Sequence, residues 1–163
     1  MNNLLGAKQE LLLARIGEHD SARLVLSLLT TARQIDLACA ELLAVHDLSE
    51  ARLAALLAVS AEPGITPGGL AEQLEVTRAT VTGLTDGLER LALLERGGNA
   101  GDRRSVTLRV TAAGETLLTE LTPSYAQWLS QLGLGVTEAD GRGALRALSA
   151  IQRTLSAEPA ATP

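Results

Sequence analysis

The residues with the clearest chemical potential are two adjacent arginines in "GDRRSVTLRVT", residues 101–111. Arg103 and Arg104 follow a glycine-rich run and precede an alternation of apolar and polar residues, which is typical of a half-buried β-strand. Guanidinium groups bind phosphate oxygens and insert into narrow, A·T-rich minor grooves of DNA. The stretch therefore predicts a hairpin with a basic tip, which is either a nucleic-acid contact or simply a solvated face.

The charge of the chain is unevenly distributed. The 163 residues carry a formal net charge of −5, which argues against a protein that coats nucleic acid by bulk charge. Between Arg78 and Arg109, however, six arginines stand against four acidic residues, a local net charge of +2. Positive charge is therefore concentrated around the predicted hairpin.

The composition limits the class of protein. The chain is 46% hydrophobic with one Trp, one Tyr and no Phe, so its core must be aliphatic, and its abundant Leu and Ala favour helix. No apolar run approaches the roughly 18 residues that span a bilayer, and the N-terminus lacks the features of a secretion signal. A single cysteine excludes an internal disulfide framework and fits a reducing compartment. We expect a cytoplasmic protein that does not bind membranes.

Two short helices joined by a tight turn are predicted immediately before the hairpin. Thr66 is placed to cap the first helix, with Pro67 at its first position, and Thr77 is placed to cap the second. The connection of about three residues gives the helix-turn-helix pattern. An exposed helix start rich in Thr and Arg suits a major groove, because hydroxyls bond phosphates or bases and a methyl group packs on thymine. The candidate DNA contacts at this helix start are Thr77, Arg78, Ala79, Thr80 and Thr82.

Longer helices are predicted on both sides of this motif. Residues 21–46 carry one apolar stripe at spacings of four and three, and the stripe is longer than packing within a small domain requires. A further helix begins at Ser49, a good N-cap. Residues 93–97 and 105–110 are the predicted arms of the hairpin, with 98–104 as its loop.

The chain after the hairpin predicts two more helices. Thr111 caps one of them, which Pro123 must kink or split, and Thr137 caps the last. Residues 157–163 are expected to be a disordered tail. The fold class predicted is mainly α with a small β-hairpin wing, in which a winged helix-turn-helix core is flanked by N- and C-terminal dimerisation helices.

Two segments resemble the MarR family of bacterial transcription regulators. "DRRSVTLRVTAAG" is similar to that family's wing signature, and "TRATVTGLTDGLE" is similar to its recognition helix. The resemblance is close over roughly residues 50–120 and extends in helix order over 21–156. It implies that Arg104 enters the minor groove, that Asp102 positions the wing through a salt bridge and that Arg103 contacts a phosphate.

The resemblance also implies a domain organisation and a mode of action. Residues 1–48 and 112–156 would form the dimerisation helices, and residues 49–111 the DNA-binding domain. The homodimer would bind a palindromic operator as a repressor, and a small-molecule effector would release it by changing the spacing of the two recognition helices. The alternative is a winged-helix module that binds protein, with weak or no DNA binding. No enzyme motif is present, so we expect neither catalysis nor a cofactor.

Two glycines depart from the family pattern. Members often carry a basic residue at one or both of the positions that Gly83 and Gly87 occupy, four residues apart on one face of the recognition helix. Each interior glycine destabilises a helix by roughly 1 kcal/mol relative to Ala. Weaker or more salt-sensitive operator binding is one consequence, and close packing of another backbone against Gly83 is the structural alternative.

Cys39 and His46 share the apolar stripe of the first long helix. Some relatives sense peroxides through a cysteine, but that residue lies near the start of the helix and Cys39 lies well inside it. We therefore expect a core or dimer-contact cysteine. Some relatives bind zinc with ligands from this region, but metal ligands come in matched clusters, and the chain has only two histidines. We expect no metal site.

Overall fold

The computed structural model describes residues 5–17, 19–99 and 102–157, with the side chains of 99 and 102–105 left out. Seven helices and one two-stranded antiparallel sheet are assigned in this part of the chain, as the predicted fold class requires. None of these helices is both long enough and apolar enough to cross a membrane. In chain order the elements are α1 (Ala7–Ile16), α2 (Asp20–Ala44), α3 (Glu50–Ala61), α4 (Pro67–Gln73), α5 (Arg78–Arg90), β1 (Leu94–Asn99), β2 (Asp102–Val110), α6 (Ala112–Leu132) and α7 (Glu138–Ser156).

Contacts divide the chain into a winged unit, up to Glu120, and a C-terminal unit, from Leu121 onward. The core of the winged unit is aliphatic, as the composition requires. Its fully buried side chains come from every helix of this unit up to α5 and from the second strand. They include Leu13, Leu43, Leu56, Val59, Leu70, Val81, Leu88 and Leu108.

The start of the winged unit contains a helix that the sequence patterns did not predict. Helix α1 buries Leu13 and packs against α2, and it ends at Gly17, whose φ of +91° suits a residue without a side chain. The predicted long helix is confirmed as α2. Its stripe is buried only near its C-terminal end, where Cys39 is 2% exposed, whereas Ile35 lies exposed one turn earlier.

The N-terminal caps of the following helices are confirmed. The Ser49 hydroxyl accepts the backbone N–H of Arg52, and the Thr66 hydroxyl accepts that of Gly69, with Pro67 at the first helical position. Glu75, between α4 and α5, has a φ of +54°, which lets the chain reverse in the tight turn. The helix-turn-helix is therefore built as the sequence predicts.

The strands of the wing are longer than predicted. They run to Asn99 and from Asp102, so the predicted loop over 98–104 is wrong for most of its length. The register is regular from Leu94↔Val110 to Gly98↔Val106 and then shifts, with Asn99 opposite Asp102. Pairing continues into the glycine-rich run, where the Thr107 hydroxyl also donates to the Gly97 carbonyl at 3.3 Å, and it ends in an irregular step after Gly98.

The alternation in β2 anchors the wing at one point rather than three. Leu108 is fully buried, Val110 is half-buried and Val106 is 45% exposed, so Val106 does not anchor the wing as the alternation predicts. The physical reason is that the hairpin extends past the core. The base of the wing is also held by the backbone between α3 and α4, where Gly64 donates to the Leu108 carbonyl and Leu108 donates to the Ile65 carbonyl.

Helix α6 continues through Pro123, so the proline does not split it.

In the C-terminal unit, Thr137 caps α7 by accepting the backbone N–H of Asp140, as predicted. Helix α7 has no buried residue, and its leucines Leu145 and Leu155 are 64% and 80% exposed. The predicted tail lies outside the described residues from position 158 onward.

Candidate nucleic-acid interface

The start of α5 is an exposed helix end organised by threonines. The Thr77 hydroxyl accepts the backbone N–H of Thr80 at 3.1 Å and lies 2.9 Å from the Thr80 hydroxyl. The Thr82 hydroxyl donates to the Arg78 carbonyl at 3.0 Å. These bonds fix the three hydroxyls locally, yet each side chain remains exposed and keeps acceptor capacity.

Helix α5 has one buried face and one exposed face. Val81, Thr85 and Leu88 are fully buried against the core of the winged unit. The outward side is exposed and carries Arg78, Ala79, Thr82, Gly83, Asp86 and Arg90. Of the predicted site residues, the structure therefore places Arg78, Ala79 and Thr82 on one outward surface of a helix that can enter a major groove.

Thr80 lies on a different flank of α5. It lines a cavity of about 260 Å³ with residues of α3, of the turn before α5 and of α5 itself. The other lining residues are Glu50, Ala51, Ala54, Leu74, Val76 and Leu84. Thr80 is thus less favourably placed for a base contact than Ala79 or Thr82, although its backbone N–H belongs to the capped helix start.

An ionic cluster joins the wing to the recognition helix. Arg96 of β1 lies 2.6 Å from Asp86 and 2.9 Å from Glu89, both of α5. The same guanidinium donates to the Thr85 hydroxyl at 2.6 Å, and that hydroxyl donates onward to the Val81 carbonyl at 2.9 Å. Because one rigid group binds three side chains of α5, it fixes the first strand of the wing relative to the helix. The sequence patterns did not single out this role for Arg96, although alternating charges at 86, 89 and 96 could have indicated it.

The base of the wing leaves no room for a side chain at Gly114. A Cβ at this position would overlap the Leu93 carbonyl and the Val110 side chain. The Thr111 hydroxyl donates to the Ala92 carbonyl at 2.7 Å and accepts the Gly114 N–H at 3.1 Å. Thr111 therefore connects the end of β2 to the residue that follows α5. Because its hydroxyl also accepts the Gly114 N–H, Thr111 is confirmed as the N-terminal cap of α6.

The wing tip carries the remaining predicted residues. The backbone of Asp102, Arg103 and Arg104 belongs to β2, but their side chains lie outside the part of the chain that the structure describes. The salt bridge expected of Asp102 and the DNA contacts expected of the two arginines stay predictions. Their backbone position does place them at the far end of the hairpin from the buried Leu108.

The two glycines of α5 have different surroundings. A Cβ on Gly83 would meet no atom of the described residues within 4 Å, so no backbone in this part of the chain packs against Gly83, contrary to the structural alternative. Gly87 is the crowded position: a Cβ there would lie 2.6 Å from Nε of Arg52. The sequence patterns did not identify Arg52, because it lies on α3, far from α5 in the chain.

Cys39 is buried, as expected for a core cysteine. Within the described residues, no three His, Cys, Asp or Glu side chains come together in an arrangement that could hold a metal ion. The winged unit presents an exposed helix face, a wing and several arginines, which are features that suit the binding of a polyanion.

Comparison with known proteins agrees with this geometry. Residues 46–105 match the model of the MarR family. The HTH-type transcriptional repressor YetL of Bacillus subtilis is 29% identical over 112 residues, which are 68% of this chain and 67% of YetL.

Solved structures with the same fold include those of two proteins that bind DNA. The Staphylococcus aureus MepR–DNA complex has a TM-score of 0.71 at 21% identity, covering 85% of this chain and 99% of MepR. Bordetella bronchiseptica BpsR is a protein whose DNA binding is regulated by 6-hydroxynicotinic acid. Its structure has a TM-score of 0.69 at 23% identity, and the aligned region covers 83% of this chain and 98% of BpsR.

The family match covers the helix-turn-helix and most of the wing, and the fold match extends over the flanking helices. The relative YetL supports the same assignment over two thirds of the chain. The resemblance first seen in the wing and recognition-helix segments is therefore confirmed. The chain therefore has a winged helix-turn-helix fold, and its residues 46–105 match the MarR family of transcription regulators.

Proposed function

We propose that this chain acts in the cytoplasm as a homodimeric repressor that binds a palindromic operator and is released by a small molecule. In each protomer, Ala79 and Thr82 meet base edges in the major groove and Arg78 contacts the backbone. Thr77 and Thr80 present the capped helix start to a phosphate. Arg103 contacts a phosphate, and Arg104 enters the adjacent minor groove from a wing positioned by Asp102.

One observation carries the proposal: the outward face of α5 and the wing are held together by Arg96. A recognition helix and a hairpin joined in this way can contact two neighbouring grooves at once, which neither could do reliably if they moved independently. The MepR structure, which has the same fold, contains DNA. This supports the use of the same surface here.

The flanking helices support a dimer. Helix α2 exposes Leu24, Leu29 and Leu37, and the C-terminal unit exposes Leu145 and Leu155. Exposed leucines on several helices favour association, because their burial removes apolar area from water. A two-fold dimer places two recognition helices on half-sites separated by about one helical turn or a multiple of it, which requires a palindromic operator.

Regulation by a small molecule is supported by a relative of the same fold. BpsR is regulated in its DNA binding by 6-hydroxynicotinic acid. A ligand that binds better to the protomer arrangement unable to fit the operator lowers DNA affinity by that difference in binding free energy.

The test is a binding series with duplexes from the promoter region next to the gene. We expect a palindromic duplex to bind with a Kd below about 10 nM, and a scrambled duplex to bind far more weakly. Arg104→Ala in the dimer is expected to lower affinity and to reduce the magnitude of the slope of log K against log salt by about 0.9 per protomer. The same substitution at Arg15, an exposed arginine of α1, is the charge-matched control.

Two results would contradict the proposal in different ways. If no duplex binds more tightly than about micromolar at low salt, where even non-specific binding is usually measurable, the chain is not a DNA-binding regulator. The alternative of a protein-binding winged helix then takes its place. If the operator binds but Arg104→Ala leaves affinity and salt slope unchanged, the wing does not enter the minor groove.

A further inference from the structure

The recognition helix is short of positive charge along its middle. Helix α5 contains two arginines and two acidic residues, so it carries no net charge of its own. The arginines lie at its two ends, and the exposed positions between them include Gly83, which has no side chain. A helix in a major groove lies between two phosphate strands, and much of the affinity of DNA-binding proteins comes from cations placed against those phosphates.

Arg52 of α3 lies beside the C-terminal part of α5. Its guanidinium covers Gly87 so closely that a Cβ there would lie 2.6 Å from Nε, 2.9 Å from Nη2 and 3.0 Å from Cζ. Gly87 is one turn after Gly83, where α5 again has no side chain. A neighbouring helix therefore brings a cation against α5, in the gap that Gly87 leaves.

The guanidinium of Arg52 is not neutralised by a carboxylate. Its Nη1 donates to the Asp47 carbonyl at 3.2 Å, and no ion pair of Arg52 occurs among the described residues. This contrasts with Arg96, which binds both acids of α5. The bond to Asp47 orients Arg52 and leaves its remaining N–H groups able to donate, in the paired geometry that suits phosphate.

We propose that Arg52 binds a DNA phosphate beside the C-terminal part of the recognition helix, and that Gly87 is required because it lets this guanidinium lie across α5. This inference rests on the proposed function and extends it to a residue outside the helix-turn-helix. The side chain is half-buried, so its aliphatic part packs against the protein while its head remains accessible.

The test is the salt dependence of operator binding by the full-length dimer. Arg52→Ala is expected to weaken binding by about tenfold per protomer at 0.1 M salt and to reduce the magnitude of the salt slope by about 0.9 per protomer. Arg15→Ala removes the same charge from α1 and is expected to leave the slope unchanged. Arg52→Lys keeps a charge and is expected to retain most of the slope.

A second variant separates phosphate binding from a purely structural role. In Arg52→Ala the space over Gly87 is empty, so Arg52→Ala combined with Gly87→Arg places the guanidinium on α5 itself. We expect this double variant to recover the salt slope, although it cannot restore the bond to the Asp47 carbonyl. Gly87→Arg alone adds a second cation that must displace Arg52, and we expect no such gain in affinity.

The outcomes are distinguishable. If the unmodified protein does not bind DNA, the proposed function fails. If it binds, and Arg52→Ala lowers the melting temperature but leaves the salt slope unchanged, Arg52 only caps the end of α2 and the inference is overturned. If the slope falls but the double variant does not recover it, the charge does not act at the position over Gly87, and the inference is again overturned.

Discussion

The winged unit and the C-terminal unit differ in how completely each buries its own apolar side chains. In the winged unit, helices and β2 bury a shared set of leucines and valines to less than 2% exposure. Among the described residues from Leu121 onward, only Leu121 is buried, and α7 leaves Leu145 and Leu155 mostly exposed. The tilted pair of Tyr125 and Trp128, with ring centroids 5.4 Å apart, is half-buried rather than enclosed in a core.

This difference indicates two separate tasks. The winged unit completes its own core, so the geometry between recognition helix and wing is set within one chain. In the C-terminal unit α7 is amphipathic and none of its described residues is buried, so we expect its stability to depend on surface supplied from elsewhere. The four predictions below test this division, from the largest expected effect to the smallest.

The largest effect is expected from truncating the core of the winged unit. Leu88→Ala removes a fully buried side chain of α5 and should lower the free energy of unfolding by about 2–5 kcal/mol, because it opens a cavity in a packed core. Urea denaturation followed by circular dichroism measures this loss. Leu134→Ala, in a residue that is 82% exposed, should change it by less than about 0.5 kcal/mol. Similar losses for the two variants would show that the division between the units is wrong.

Two aspartates introduced on the apolar stripe of α7 should weaken dimer formation and leave the core of the winged unit intact. Leu145→Asp with Leu155→Asp is expected to convert the dimer into a monomer and to weaken operator binding on the order of a hundredfold, because the second half-site is no longer engaged in the same complex. Sedimentation equilibrium and fluorescence anisotropy measure these two changes.

The matched control adds the same charges away from that stripe. Ala150→Asp with Thr154→Asp places two aspartates on other sides of α7, and both positions are exposed. The control should remain dimeric and bind the operator normally. Dimers of equal strength in both variants would exclude the α7 stripe as part of the interface.

Removing Arg96 should loosen the wing at moderate cost. Its side chain is 33% exposed, so solvent weakens its ion pairs, and Arg96→Ala is expected to destabilise the protein by about 1–2 kcal/mol. Amide hydrogen exchange should accelerate in β1 while the core of α3 stays protected. Arg109→Ala, an exposed arginine on β2 opposite Glu95, is the control and should leave exchange in β1 unchanged.

The smallest effect is expected at Gly83. Alanine there meets open space and raises helix propensity, so Gly83→Ala should stabilise the protein by about 0.5–1 kcal/mol, seen as a higher melting temperature. The same substitution at Gly114 should destabilise it, because a Cβ would overlap the Leu93 carbonyl. A destabilising Gly83→Ala would mean that the outer face of α5 is covered.

Local signals in the sequence were sufficient for the elements of the winged unit. Thr66 with Pro67, Thr77 and Thr111 each cap the helix that was predicted after them, because capping depends on residues within one turn of each other. Strand length was less predictable. The hairpin extends through the glycines that indicated a loop. The end of a strand depends on its pairing with the facing strand, and the composition of one strand alone does not show how far that pairing continues.

The order of helices and strands, the aliphatic core and the concentration of arginines around the wing are predictable from the sequence. Those properties follow from periodicity, caps and composition, which depend on residues that are close together in the chain. Three features are visible only in the folded chain: Arg96 joins the wing to α5, the space beside Gly83 is open among the described residues, and Arg52 lies over Gly87. These are contacts between residues distant in the chain, and their partners are chosen by how the helices pack.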